Sequence, residues 1–239
     1  MVRGPAPLLG AALGTLALLL LAPALPGLGG GDAAALVEGS VGLLALAAIA
    51  LTLLPARDET ALLVLIGFGA ALVAGALDAA GAGTAADVPK AIFAAAAGMV
   101  LAKALAAPVV VIAVPIFVAA IDVWSVAAGP TSRLLESSGS TIDYLSFEIP
   151  SWGGGTVGRL GLSDIVFLAF FASLAWRYGL RRRATAACLM LAFPAALVVQ
   201  LLTDRPLAVL PFLAAGLLLP NLDLLPGLVR GAERRGGEA

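Results

Sequence analysis

Eight times along this chain the sequence settles into a run of about 20 residues drawn almost wholly from Ala, Leu, Val, Ile, Phe and Gly, which is the length that crosses the hydrocarbon core of a bilayer as a helix. Inside lipid every backbone N–H and C=O must find a partner within the protein, so only helices and closed barrels can span it. Runs this long, rich in the strong helix formers Ala and Leu, select the helix. The expected fold is therefore an all-α polytopic membrane protein with about eight transmembrane helices, or seven if the first run is a cleaved signal. Of the 239 residues 61% are hydrophobic and only 12% charged, far from the roughly 25% charged of a soluble domain.

The first run, Pro7 to Leu25, follows Arg3 and ends near Ala22-Pro23-Ala24, a pattern shared by retained spans and by secretory signals. We take it as a retained span. Ala35 to Leu54 and Thr60 to Ala79 follow, the latter with Gly67, Gly69 and Gly75 on a face suited to close helix packing. Then come Val88 to Leu105 and Ala106 to Ala128, where Pro108 and Pro115 should bend the helix. Residues 161–180 and 184–202 form the next two. The last, Pro206 to Leu225, contains Pro211 and Pro220, and a doubly interrupted span implies a broken helix beside a cavity. The division expected is 1–128 for the N-terminal helices, 129–160 for an exposed, mobile extracytoplasmic loop, 161–225 for a C-terminal three-helix part and 226–239 for a disordered tail. Within the loop, Thr141 to Trp152 alternates enough for a short strand or hairpin.

Basic residues orient such a chain, because positive loops stay in the cytoplasm. With Arg181-Arg182-Arg183 placed inside and the spans alternating, the inner ends also hold Arg3, Arg57, Lys103, Arg177, Arg230, Arg234 and Arg235. The outer loops hold only Lys90, Arg133, Arg159 and Arg205. Both termini and the tail are thus expected in the cytoplasm, and the long loop outside. The dominance of Ala, Gly and Leu, with only Lys90 and Lys103 as lysines, points to a bacterial cytoplasmic membrane.

The absences narrow the chemistry. There is no histidine, which excludes His-Glu-x-x-His zinc proteases, Ser-His hydrolases and imidazole-bound haem or copper. The lone Cys188 allows no disulfide framework or CxxC site, and no phosphate-binding glycine motif occurs. A net charge of −1 argues against a nucleic-acid partner. Acid–base work is left to carboxylates and a few other groups.

Two carboxylates stand out. Asp122 is the only charge in its apolar run, and Asp164 heads the next one. An intramembrane acid costs a few kcal/mol and is tolerated when it faces the protein interior, finds a partner or performs chemistry. The first of these spans runs outward and the second inward, so both acids lie toward the outer end at matching depth. Two carboxylates held together in a dry site cannot both ionise easily; one then serves as base toward water while the other donates a proton. Other roles stay open at this point. Asp122 could carry protons or ions or be hydrogen-bonded to backbone, and Asp164 could be a first-turn helix cap. Trp124, Trp152 and Trp176 read as interface anchors or packing residues, Arg181 to Arg183 as a topological determinant, Asn221 and Asp223 as a solvated helix end, and Asp78 and Asp87 as loop acids.

The segment Ala120-Ile121-Asp122-Val123-Trp124, followed by Gly129-Pro130 and Arg133-Leu134-Leu135-Glu136, resembles the first catalytic helix of presenilin, where a Tyr-Asp pair precedes Gly-Pro and an Arg-to-Glu run. Gly161-Leu162-Ser163-Asp164 is similar to the GxGD motif of presenilins and signal peptide peptidases, with Ser163 in place of the second glycine. Arg205-Pro206-Leu207-Ala208-Val209-Leu210-Pro211 resembles their Pro-Ala-Leu region, keeping Leu210 and the following Pro211. These three motifs stand in family order over residues 115–215.

The resemblance implies an intramembrane aspartyl endopeptidase with Asp122 and Asp164 as the catalytic pair. Gly161, Leu162 and Ser163, together with Ala208, Val209, Leu210 and Pro211, would border the substrate. It implies no cofactor and no metal, a transmembrane helix as substrate, the lipid bilayer as medium, and no obligate subunits. Two other functions use the same acids: a proton- or cation-coupled transporter, and an inactive relative that binds membrane helices.

Overall fold

The computed structural model describes residues 6–105, 107–128, 145–203 and 208–228. Arg205 to Leu207, Gly129-Pro130 and Arg133 to Glu136 lie outside the described residues, as does the tail beyond 228. Among the described residues eight α-helices of nine residues or more follow the eight apolar runs. They are α1 (Ala6–Leu21), α2 (Asp32–Leu53), α3 (Thr60–Ala79), α4 (Gly83–Ala104), α5 (Val110–Ala128), α6 (Leu162–Arg177), α7 (Arg182–Thr203) and α8 (Leu210–Leu218). Five helical stretches, covering α1, α2, α3, α4 and α7, are long and apolar enough to cross a membrane. The protein is thus a mostly helical integral membrane protein.

The prolines act differently from expectation. Pro108 precedes α5 instead of bending it, and only Pro115 lies within the helix. Pro211 opens α8, where its missing N–H loses no helical bond, and Pro220 sits where α8 passes into a single 3-10 turn. The last run is therefore a short helix that breaks through a 3-10 turn at Pro220 before a further helical turn over 225–228, so the expected interruption comes at Pro220 alone.

Helix α6 is the centre of the bundle, with ten of its 16 residues buried. It packs most extensively on α4, and Gly98 makes that possible: a Cβ there would lie 2.1 Å from the Val166 carbonyl oxygen. Gly216 plays the same part between α8 and α7, against the Cys188 backbone. Of the three glycines on α3, only Gly67 meets a neighbour, Ala96 of α4; Gly69 and Gly75 face open space.

One stretch of this mostly helical, all-α membrane fold is extended. Residues 145–160, expected in an exposed loop with a short strand or hairpin over Thr141 to Trp152, belong to an antiparallel hairpin of β1 (Ser146–Pro150) and β2 (Thr156–Gly161); residues 141–144 lie outside the described residues. Its turn contains Gly153, Gly154 and Gly155, all at positive φ, which residues with a Cβ rarely adopt. Phe147, Ile149 and Leu160 are buried, and the hairpin lies on α2 where Gly42 leaves room for Ile149. An apolar face on alternate residues drives it into the bundle, which is why this stretch is not a solvated loop.

Candidate active site

The hairpin feeds directly into the central helix. β2 ends at Gly161, the N-cap of α6, and Asp164 occupies the third helical position. Its Oδ2 accepts a hydrogen bond from the Gly161 N–H at 3.1 Å, satisfying one of the donors that a helix start leaves open. Asp164 is 7% exposed. Gly161 has an ordinary extended backbone, so its need for glycine is spatial. A Cβ would lie 3.2 Å from Asp164 Oδ2 and 3.3 Å from Ser163 Oγ.

Ser163 stands in the first turn of α6 with its side chain exposed. Its helical backbone makes no demand for glycine. Leu162 is tied to the strand before it: its N–H donates to the Leu145 carbonyl at 2.9 Å.

Asp122 reaches the same place from the edge of the bundle. Val209 is the N-cap of α8 and supplies no side-chain cap. Asp122 of α5 substitutes for it: its Oδ2 accepts the Leu210 N–H at 2.9 Å, and its carboxylate is also bonded by the Val209 backbone. A helix N-terminus carries partial positive charge and orphan N–H groups, so it is a favourable seat for an anion. Through α8, which packs on both α5 and α6, the Asp122 and Asp164 carboxylates come within electrostatic reach of each other. Ala208 and Leu210 are buried at this junction, while Val209 and Pro211 are half-buried.

A recess opens beside Val209, lined by Gly39 and Leu43 of α2, Val157 and Leu160 of β2, and Phe193 and Leu197 of α7. Its walls are apolar, with Arg159 and Gln200 also on the lining.

Several residues near this end of the bundle were misjudged or missed in the sequence. Glu38, a lone acid inside the second run, is buried and accepts bonds from Ser151 Oγ at 2.7 Å and the Trp152 N–H at 3.1 Å. Asp78 and Asp87, taken as loop acids, both pair with the buried Lys90, at 3.3 and 3.7 Å. At the opposite end, Asn221 is fully buried and not part of a solvated helix end. Its amide donates to Thr185 Oγ1 at 2.8 Å and its oxygen accepts the Arg181 N–H at 2.9 Å. Arg181 also bonds Pro220 and Asp223, so one arginine of the triplet locks the end of α8 to the α6–α7 turn. The signal available for Glu38 and Lys90 was a charge inside an apolar run; nothing local marked Asn221.

Compared with known protein families, curated proteins and solved structures, the chain has no match.

Proposed function

We propose that this protein is an intramembrane aspartyl endopeptidase of the presenilin-like kind, with Asp122 and Asp164 as its catalytic pair. The observation that carries this is the meeting of the two acids at the N-termini of α8 and α6, two helices in contact at one end of the bundle. One carboxylate takes a proton from a water whose oxygen adds to the scissile carbonyl carbon, while the other, protonated, gives its proton to the carbonyl oxygen; as the C–N bond breaks, the first passes the water's proton to the leaving amine and the second takes its proton back from a hydroxyl of the tetrahedral intermediate. The pair holds one proton between them as the cycle begins.

The substrate is a transmembrane helix that unwinds locally and lays its backbone along the hairpin as an added strand. The apolar recess beside Val209 suits one of its side chains. The shorter helices α5, α6 and α8 complete eight passes, and the end rich in Arg57, Lys103, Arg177 and Arg181 faces the cytoplasm together with both termini. The bilayer is the medium, and no further subunit is needed for cleavage.

The test is cleavage of a generic transmembrane helical substrate by the purified protein in bilayers, beside Asp122→Asn and Asp164→Asn. Each substitution should lower the rate by about 10²–10⁴-fold, the scale of a lost acid–base group. Cleavage that survives either one sinks the pair. Proton-linked cation flux without cleavage would replace this function with transport, and substrate binding without cleavage with an inactive helix-binding role.

A further inference from the structure

The hairpin has two outer edges, and the register shows what each presents. Phe147 pairs with Leu160 and Ile149 with Gly158, while Glu148 stands opposite Arg159. The Glu148 N–H points away from β2, to Asp87 Oδ2 at 3.1 Å. In an antiparallel pair the inward and outward backbone groups alternate, so Ser146, Glu148 and Pro150 form the outer edge of β1. Pro150 has no N–H to give. A strand edge is a template for another strand unless it is blunted, and here the central donor of β1 is already taken by a carboxylate.

That carboxylate is itself firmly held. Asp87 lies in the first turns of α4 and is 2% exposed. Its Oδ1 pairs with Lys90 Nζ, and the same ammonium reaches Asp78 of α3 at 3.3 Å. Two buried charges, Asp87 and Lys90, and the half-buried Asp78 from the neighbouring helix thus form one chain of ion pairs whose end accepts the strand N–H. Along the other strand, the corresponding outward N–H of Gly161 goes to Asp164. Each outer edge of the hairpin meets a buried aspartate, one in the candidate catalytic pair and one outside it.

We propose that Asp87, held by Lys90 and Asp78, is a positioning residue that closes the β1 edge. It pins the hairpin so that Gly161 stays aimed at Asp164, and an extended substrate segment can add only along β2. This rests on the protease function above. Asp87 touches neither the substrate nor the reacting atoms; it acts through β1, and its removal loosens the register in which a substrate strand is presented.

The experiment uses the full chain in nanodiscs, with amide exchange of the peptide covering residues 145–150 and mass analysis of the cleavage products. Asp87→Ala should speed exchange of that strand by about tenfold or more, the size of effect expected from losing a buried acceptor. It should also spread the cuts to neighbouring bonds. Asp87→Asn, which keeps an acceptor oxygen, should restore the single set of products. If Asp87→Ala does not fold, Glu148→Pro deletes the same bond from the donor side, where the outward N–H makes proline tolerable, and should spread the products likewise. Wild-type exchange together with wild-type products in the folded variant overturns the proposal. A wild-type protein that cuts nothing overturns the protease function instead, and the exchange measurement then still decides whether Asp87 clamps the hairpin.

Discussion

The helices that carry the two acids could hardly be set more differently. α6 lies at the core, gripped by α4 through Gly98, with an unbroken buried run from Leu168 to Ala175. α5 runs along the periphery; Val111 is its one buried hydrophobic residue among those described, and Ile116, Phe117, Ile121 and Trp124 are exposed to the surroundings. Asp164 is therefore fixed by packing, and caps its own helix. Asp122 is held mainly by α8, whose free N-terminus it caps from across a helix interface. One half of the candidate site is built into the core, and the other is suspended from a nine-residue helix. Damage on the α6 side should register first as lost stability, and damage on the α5–α8 side as lost activity.

The largest effect that would break this contrast is the removal of either acid function, already expected to lower cleavage by about 10²–10⁴-fold in both Asn variants. Stability should not follow that loss. Both variants should keep a near wild-type melting temperature in detergent, because an amide oxygen can still accept the Gly161 or Leu210 N–H. A large drop for Asp122→Asn alone would contradict the suspended half. The rate should also fall toward alkaline pH. The step needs one carboxyl to deliver a proton, and ionisation of both removes it; a rate that keeps rising to mildly alkaline pH would exclude the shared proton.

Next in size is Gly98→Leu. A side chain there collides with the Val166 carbonyl, and overpacking of this kind costs about 1–3 kcal/mol or more. Thermal unfolding should show it whether or not a substrate is present. Asn221→Ala should cost about 1–3 kcal/mol by leaving the Arg181 N–H and Thr185 hydroxyl without their partner. Because Asn221 anchors the far end of α8, its loss should also slow cleavage, whereas a stability loss with unchanged turnover would show that α8 does not transmit the displacement to Asp122. The smallest effect is expected for Ser163→Gly. Ser163 is exposed in a helical turn, so glycine there should leave cleavage within about twofold and cost about 0.5–1 kcal/mol of helix stability. A large gain in activity would mean that the turn before Asp164 is more constrained than its geometry shows.

Much of this was legible in the chain itself. Hydropathy runs located the eight helices of nine residues or more among the described residues, since the requirement to satisfy backbone groups in lipid acts on each run separately. The alternation of Thr141 to Trp152 signalled the first strand of the hairpin. Asp122 and Asp164 were conspicuous because a carboxylate in an apolar run needs a reason to be there. What could not be read was which partner each polar group would take. Asp78 and Asp87 read as loop acids until the packing of α3 on α4 brought both to Lys90 and β1 supplied the Glu148 N–H. Pro211 looked like an interruption until it proved to stand at a helix start whose free N–H groups are taken by Asp122.

By itself, the sequence determined that this is a membrane protein of apolar helices, with one acid in each of two successive runs. Those properties follow from local composition and from the fixed rise of a helix, and they need no knowledge of neighbours. Only the tertiary structure decided that the two acids come within electrostatic reach beside α8, that the hairpin before Asp164 is sunk against α2, and that Glu38 and Asp87 bond to that hairpin. The reason is physical: a buried carboxylate is stabilised by whichever N–H or ammonium the packing brings to it, and that choice is made across contacts as much as 114 residues apart in the chain.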